Sequence, residues 1–266
     1  MKGRVLIIAG SDSGGGAGVQ ADIKAITALG SYAATAITAV TVQNTLGVSG
    51  VHPIPLEVIE AQARAVLSDI GADVIKTGML GDAATVELVA RLIGDSGLPA
   101  VVDPVMVAKG GAALLENSAI SALQDALLPH ARLLTPNAPE ASALSGVEIA
   151  TTDDLRRAGA RLLAMGPKAV LMKGGHVEGE EVTDILMTAQ GETLFSGPRL
   201  RTRHTHGTGC TLASAIAAGL AGGLSLEAAV TRARHYLMEA LRTAPGYGAG
   251  HGPLNHAARR PQGGAW

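Results

Sequence analysis

Residues 4–42, RVLIIAGSDSGGGAGVQADIKAITALGSYAATAITAVTV, hold two apolar runs separated by a glycine cluster and an amphipathic stretch. The first run, Val5 to Ala9, is apolar without alternation, the pattern of a strand buried on both faces. From Gly18 to Leu29 apolar residues recur at three and four, which predicts a helix. Strand, glycine turn, helix and strand form a βαβ unit, which places two parallel strands in one sheet.

The alternation continues down the chain. Strand-like runs occur at DVIKTG (73–78), AVVDPV (100–105), RLLTP (132–136) and KAVLMK (168–173). Between them, 56–70, 82–94, 117–128 and 152–166 carry helical periodicity. After Lys173 the pattern changes to two short strand-like pieces, VTDILMT (182–188) and ETLFSG (192–197), which predict an antiparallel edge hairpin. Two helices near 208–222 and 225–243 follow. The expected fold is α/β, a mostly parallel sheet between helix layers, with residues 1–266 as one domain and the tail after about residue 253 as loop or disorder.

Composition removes several function classes. Aromatic residues are 2% of the chain and the formal net charge is −2, with no basic block, so nucleic acid is not an expected partner. No apolar run approaches the ~18 residues of a membrane span. Cys210 is the one cysteine, which forbids an internal disulfide and fits a reducing compartment. The reading is a soluble cytoplasmic protein.

Ligands of parallel sheets gather at the carboxyl ends of strands. Those ends here collect Gly10, Asp12, Gly14 to Gly16, Gln43, Asn44, Gly78, Met79, Asp103, Asn137, Glu140, Lys173, Gly174 and Gly175. In THGTGC (205–210), Gly207 and Gly209 keep a loop free of side chains, so that amides from Thr208 to Cys210 converge at a helix start and stabilise a developing anion. That helix end is expected to lower the Cys210 pKa, with buried filler as the plain alternative. Lys173 is either a phosphate-binding point charge or a solvated lysine. Asp103 and Glu140 point to Mg²⁺, although Asp103 before Pro104 could equally cap a turn. Together these predict phosphoryl transfer without a P-loop, since no G-x-x-x-x-G-K-[ST] occurs. GAGVQA (16–21) matches a dinucleotide pattern but lacks the expected acidic residue at the end of the second strand.

The chain resembles the hydroxymethylpyrimidine/phosphomethylpyrimidine kinases of thiamine biosynthesis, within the ribokinase-like superfamily. The likeness runs through IAGSDSGGGAGVQADIKAITALGSY, VQNTLGV, KTGMLGD, VVDPVMVAKGG, LLTPNAPEA, LMKGGH and HTHGTGCTLASAIAAGLA. It implies a ribokinase-like three-layer α/β/α sandwich that uses ATP and Mg²⁺ to phosphorylate 4-amino-5-hydroxymethyl-2-methylpyrimidine and then its monophosphate. It implies an anion hole at Gly207, Thr208, Gly209 and Cys210, with Cys210 at the substrate hydroxyl as base or positioner. Gly10, Asp22, Gln43, Met79 and Val105 or Val107 correspond to the pyrimidine pocket, Asp103, Asn137 and Glu140 to the magnesium and phosphate group, Lys173 to the phosphate lysine, and Thr202 or Thr205 to the nucleotide side. The partners it implies are a small pyrimidine and a second copy of the chain. DSGGGAG (12–18) departs from the family's DPSGGAG, and Ser13 and Gly14 predict a more mobile loop than proline gives. The alternatives are a pyridoxal or pyridoxine kinase, which shares the fold, and a dinucleotide-binding oxidoreductase.

Overall fold

The computed structural model of the chain describes residues 1–107, 111, 114–116 and 118–258. The described strands are β1 (Arg4–Asp12), β2 (Tyr32–Asn44), β3 (Gly47–Pro53), β4 (Val74–Thr77), β5 (Ala100–Val102), β6 (Ala131–Leu134), β7 (Ala169–Met172), β8 (Glu181–Thr188) and β9 (Gly191–Pro198). They form one sheet in the order β3-β2-β1-β4-β5-β6-β7-β8-β9. The six strands from β2 to β7 in that order are parallel, β3 pairs antiparallel with β2 at one edge, and at the other β8 pairs antiparallel with both β7 and β9.

The chain therefore winds outward from β1 in one direction to β2 and in the other to β4. The switch point lies between β1 and β4, where such sheets leave a crevice at the strand ends. Gly10 lies two residues before the end of β1, and Gly78 and Met79 follow β4.

Two apolar cores flank the sheet because successive strand residues face opposite sides. Leu6, Ile8, Ile75, Val102, Leu134 and Val170 pack under α2 (Leu56–Asp69), α3 (Ala83–Ser96), α4 (Ser118–Ala122), α5 (Ala138–Ser145) and α6 (Thr152–Ala164). Val5, Ile7, Val74, Val101, Leu133 and Leu171 pack under α1 (Gly18–Ala28), α7 (Thr208–Ala221) and α8 (Leu226–Arg242). With so few aromatics, this second core is closed by small residues at short range. α7 is buried all round from Thr211 to Gly219, as a helix without a polar face must be.

Three features differ from the sequence reading. β3, GVSGVHP, carries glycine and proline that conceal it, and only an edge position tolerates them. The helix expected at 117–128 is α4 continued by a π turn at Leu123–Leu127 and a 3-10 turn at Leu128–His130. The tail is not loose as far as it is described. Leu254 is buried, the Tyr236 hydroxyl donates to the His256 carbonyl (2.8 Å), and His256 Nε2 meets Thr211 Oγ1 (2.9 Å). The segment fills a gap beside α7 and α8; residues 259–266 lie outside the described residues.

A methyl group on Gly219 would stand 2.8 Å from Ala229 Cβ, which sets the α7–α8 approach. Gly219→Ala gains up to ~1 kcal/mol of helix propensity but overpacks this contact by about 1–3 kcal/mol. The expected outcome is a lower urea midpoint, and a variant as stable as wild type shows that the helices have room to spare.

Candidate active site

The switch point opens into a cleft of about 1170 Å³ running from the β1 and β4 ends to β9 and α8. Gly10, Gln43, Met79, Asp103, Val105, Val107, Asn137, Glu140, Lys173, Thr205 and the run Gly207 to Cys210 all line it. One expected pocket residue does not. Asp22 is wholly buried on the inner face of α1, where its carboxylate accepts from Lys76 Nζ (2.8 and 2.9 Å) and Ser214 Oγ (2.7 Å). Its helix face turns it toward β4 and α7, so it meets the cleft only through Lys76.

The start of α7 is built for anions. Its N-cap is Gly207, at φ 82°, and supplies no side-chain oxygen to the helix. The Thr208 N–H turns to the Thr205 carbonyl (3.4 Å) and the Thr211 N–H to the Gly207 carbonyl (2.9 Å). The amides of Gly209 and Cys210 keep no protein acceptor among the described residues, as unsatisfied donors at a helix start with its positive dipole end do. A side chain at Gly207 would run into the Gly16 carbonyl, so this junction excludes every other residue.

Lys173 faces these amides. Nζ bonds Asp103 Oδ1 (3.0 Å) and lies 3.9 Å from Glu140 Oε2, and a methyl placed on Gly209 would be 3.3 Å from it. Burial opposes its charge, but Asp103 and Glu140 together raise its pKa above the ordinary lysine value. Asp103 is steadied by Thr135 Oγ1 (3.0 Å). Asn137 and Glu140 cap α5 reciprocally: the Asn137 side chain takes the Glu140 N–H (3.0 Å), and Glu140 Oε2 takes the Asn137 N–H (2.8 Å). Burial pushes Glu140 up to about 7 against the pull of Lys173, and Asp103 adds to the rise. Asp103 and Glu140, both lining the cleft beside Lys173, are a carboxylate donor set of the kind a divalent cation takes.

The thiol of Cys210 is pushed up to about 12, not lowered as the helix end alone predicts. Burial is the main cause, with Lys76 pulling it down, Asp22 and Asp103 pushing it up and the Gly18 N–H donating to the sulfur. Desolvation outweighs the helix end here.

The first glycine loop is held by a set of side-chain and backbone hydrogen bonds. Asp12 accepts from the N–H groups of Gly14 (2.7 Å), Gly16 (3.0 Å) and Ala17 (2.8 Å), and bonds His206 Nε2 (2.8 Å). Although burial acts to raise it, His206 and these amides hold the Asp12 pKa below the ordinary carboxylate value. Ser13 Oγ donates to the Gln43 carbonyl (2.8 Å) and accepts the Gln43 N–H (2.9 Å), while the Gln43 amide lies 3.4 Å from His206 Nε2. The serine thus ties the loop to β2. Met79 packs its sulfur against Gly10, with its carbonyl held by Thr38 Oγ1 (2.7 Å).

Sequence reasoning missed three lining residues. Lys76 had a signal, a lysine inside the apolar run DVIKTG. His206 and Arg234 had none, since their partners are remote in sequence. Arg234 bonds Asp184, whose other oxygen holds the Gly174 N–H (2.8 Å), and stacks over the Phe195 ring at 5.9 Å. This fixes the glycines after β7 to the far end of the cleft.

A sequence profile described as phosphomethylpyrimidine kinase matches residues 12–255. The chain is 50% identical over 252 residues to a hydroxymethylpyrimidine/phosphomethylpyrimidine kinase of Streptomyces coelicolor, covering 95% of this chain and 93% of that one. It is also 50% identical over 256 residues to a thiamine biosynthesis bifunctional protein of Geobacter sulfurreducens, covering 96% of this chain but only 52% of that longer protein. Among solved structures, an ADP complex of Bacillus subtilis pyridoxal kinase superimposes with a TM-score of 0.90 at 36% identity, covering 96% and 98% of the two chains. The sheet, its antiparallel edges and the helix layers on both faces are those of the ribokinase-like fold.

Because Cys210 is the one thiol in the chain, alkylation reports it unambiguously. A raised pKa keeps the unreactive S–H form to higher pH, so the iodoacetamide rate is expected to climb about tenfold per pH unit from 8 to 10. A rate that is half-maximal near pH 8.5 and levels off by about pH 9.5–10, as for an ordinary thiol, contradicts the burial described.

Proposed function

The chain belongs to the phosphomethylpyrimidine kinase family, and from that membership we propose the reaction: transfer of the ATP γ-phosphoryl group to the hydroxymethyl group of 4-amino-5-hydroxymethyl-2-methylpyrimidine, then a second transfer to the monophosphate. The observation that carries this reading is the convergence of Lys173, the free amides at the start of α7 and Cys210 on one cleft. A transferring phosphoryl group passes through a loose transition state that needs positioning and charge stabilisation more than covalent help. The amides of Gly209 and Cys210 and the ammonium of Lys173 meet its equatorial oxygens. Cys210 faces the acceptor hydroxyl and positions it, taking its proton when the sulfur is a thiolate.

The aminopyrimidine is read as lying between Gly10, Met79 and Val105, with Gln43 at its polar edge. Gln43 already borders His206, so binding a ring there exchanges one partner for another rather than exposing a bare amide. ATP enters from the end lined by Thr205, Phe195 and Arg234. No cluster of three metal-ligating side chains is found among the described residues, which suits Mg²⁺ since that ion takes one or two carboxylates together with phosphate oxygens and water. Asp103 and Glu140 would hold it there. When bound, it neutralises charge on the phosphates.

Two further parts of the reading follow. A homodimer is supported by apolar exposure on the β2–β3 hairpin, where Val42 is 62% and Leu46 70% exposed beside Val40. Such a surface fits a second copy of the chain, and Val42→Glu with Leu46→Glu is expected to shift the protein to half its mass in light scattering at unchanged fold. No described helix is long and apolar enough to cross a membrane, and a lone reduced thiol in the cleft agrees with a cytoplasmic setting.

The pyridoxal kinase reading remains a second possibility because of the close superposition reported above. Mg-ATP turnover with hydroxymethylpyrimidine, its monophosphate and pyridoxal in parallel decides between them. The expected result is turnover of both pyrimidines, slow pyridoxal, and a drop in kcat of about 10²-fold or more for Cys210→Ala, the usual weight of a positioned proton acceptor. Fast pyridoxal turnover with an inert monophosphate moves the protein to the second reading.

A further inference from the structure

Gln43 is held at its main chain and at both ends of its side chain. Ser13 Oγ accepts its N–H (2.9 Å) and donates to its carbonyl (2.8 Å). One end of the side-chain amide lies 3.4 Å from His206 Nε2, and the other lies 3.2 Å from Thr41 Oγ1. An amide has an accepting end and a donating end, so the character of these two neighbours decides which way round it sits.

On the first side Asp12 settles the matter. Its carboxylate accepts from the N–H groups of Gly14, Gly16 and Ala17, bonds that favour the ionised form, in which it can only accept. It also lies 2.8 Å from His206 Nε2. That nitrogen must then carry a hydrogen whether the ring is neutral or charged, and the amide end that faces it is the oxygen. On the second side, Thr41 Oγ1 gives its single hydrogen to the Ser11 carbonyl (2.9 Å) and is left to accept from Gln43. The amide end that faces it is the NH2 group. Two independent neighbours thus assign one orientation, and Asp12, Thr41 and His206 are all buried, where bulk water does not compete for these bonds.

We propose that the His206–Asp12 and Thr41–Ser11 bonds lock the Gln43 amide with its oxygen on the His206 side and its NH2 group on the Thr41 side, and that this lock sets which ring the cleft accepts. The inference rests on the proposed kinase reading, in which the hydroxymethyl group of the substrate is directed at Cys210. His206 leads directly into the α7 N-cap, so the amide oxygen is the end on the α7 side. In the aminopyrimidine, the ring carbon next to the one bearing the hydroxymethyl group carries the amine, and a ring nitrogen follows. The amine donates to the locked oxygen, and the ring nitrogen accepts from the locked NH2 group. Pyridoxal carries an aldehyde carbonyl next to its hydroxymethyl group, which sets one acceptor against another. A free amide turns over to suit either ring, whereas a locked one rejects the second. His206 and Thr41 are on this account positioning residues that act through Gln43.

Two measurements test the lock. In the substrate-free protein at about pH 8, nitrogen-15 shifts of the imidazole are expected to show a hydrogen on His206 Nε2, and a bare Nε2 overturns the orientation. Turnover is then compared between Thr41→Val, which keeps the shape and loses the acceptor, and Thr41→Ser, which keeps the oxygen. For Thr41→Val the hydroxymethylpyrimidine KM is expected to rise about tenfold at a kcat within about twofold, the loss of one oriented hydrogen-bond partner. The inhibition constant of pyridoxal as competitor is expected to stay level or fall, and Thr41→Ser to restore both values. A folded Thr41→Val with wild-type selectivity overturns the proposal. Where Thr41→Val does not fold, His206→Met against His206→Gln, which lose and keep a donor facing Gln43, read the same selectivity from the other side. If the wild-type protein phosphorylates neither pyrimidine, the kinase reading falls, and the nitrogen-15 shifts still decide the orientation of the amide.

Discussion

A side chain on Gly207 would collide with the carbonyl of Gly16, and one on Gly16 with the ring of His206, so the two glycines are packed backbone to backbone without room for a Cβ. This contact holds the first glycine loop against the start of α7, and the cleft depends on it. Asp12 gathers the loop amides on one side and His206 on the other, so the loop after β1 and the residue before the α7 N-cap share one carboxylate. Remote parts of the chain are thereby clamped at the switch point of the sheet, with the unsatisfied amides of α7 aimed into the opening.

Around that junction, charge is arranged in two buried sets with different partners. Lys173 sits with Asp103 and Glu140 at the phosphate side, where two carboxylates share one ammonium and burial raises the Glu140 pKa to about 7. Lys76 of β4 and Asp22 of α1 form a fully buried pair that is bonded to Ser214 of α7. The first set is open to an incoming phosphate and cation, which can rebalance it. The second is sealed, and its field is a fixed part of the protein, which is what preorganisation requires. The high pKa of the Cys210 thiol follows from this geometry: the helix end and one ammonium are not enough to offset removal from water.

Much of this was legible in the chain. The unbroken apolar run of β1 and the glycine turn into α1 mark a central parallel strand, and the carboxyl ends of the strands carry most of the residues that line the cleft. The hairpin β8–β9 was also readable, from its shift to short pieces with alternating exposure. β3 was hidden because an edge strand needs little β-propensity of its own when a neighbour supplies the ladder. The tail misled because glycine and proline say how a backbone can bend, not whether a buried Leu254 and His256 will tie it down.

The sequence by itself determined the layers, the strand ends and the chemical types brought to them, since periodicity and turn residues act over a few positions. Only the tertiary structure decided which charges face each other. It turned Asp22 away from the cleft and put Lys76 in its place, joined Asp12 to His206 across 194 positions, and raised the Cys210 pKa where a helix end alone lowers it. The physical reason is that pairing and desolvation depend on contacts between distant segments, and no local pattern records what will be buried beside a given charge.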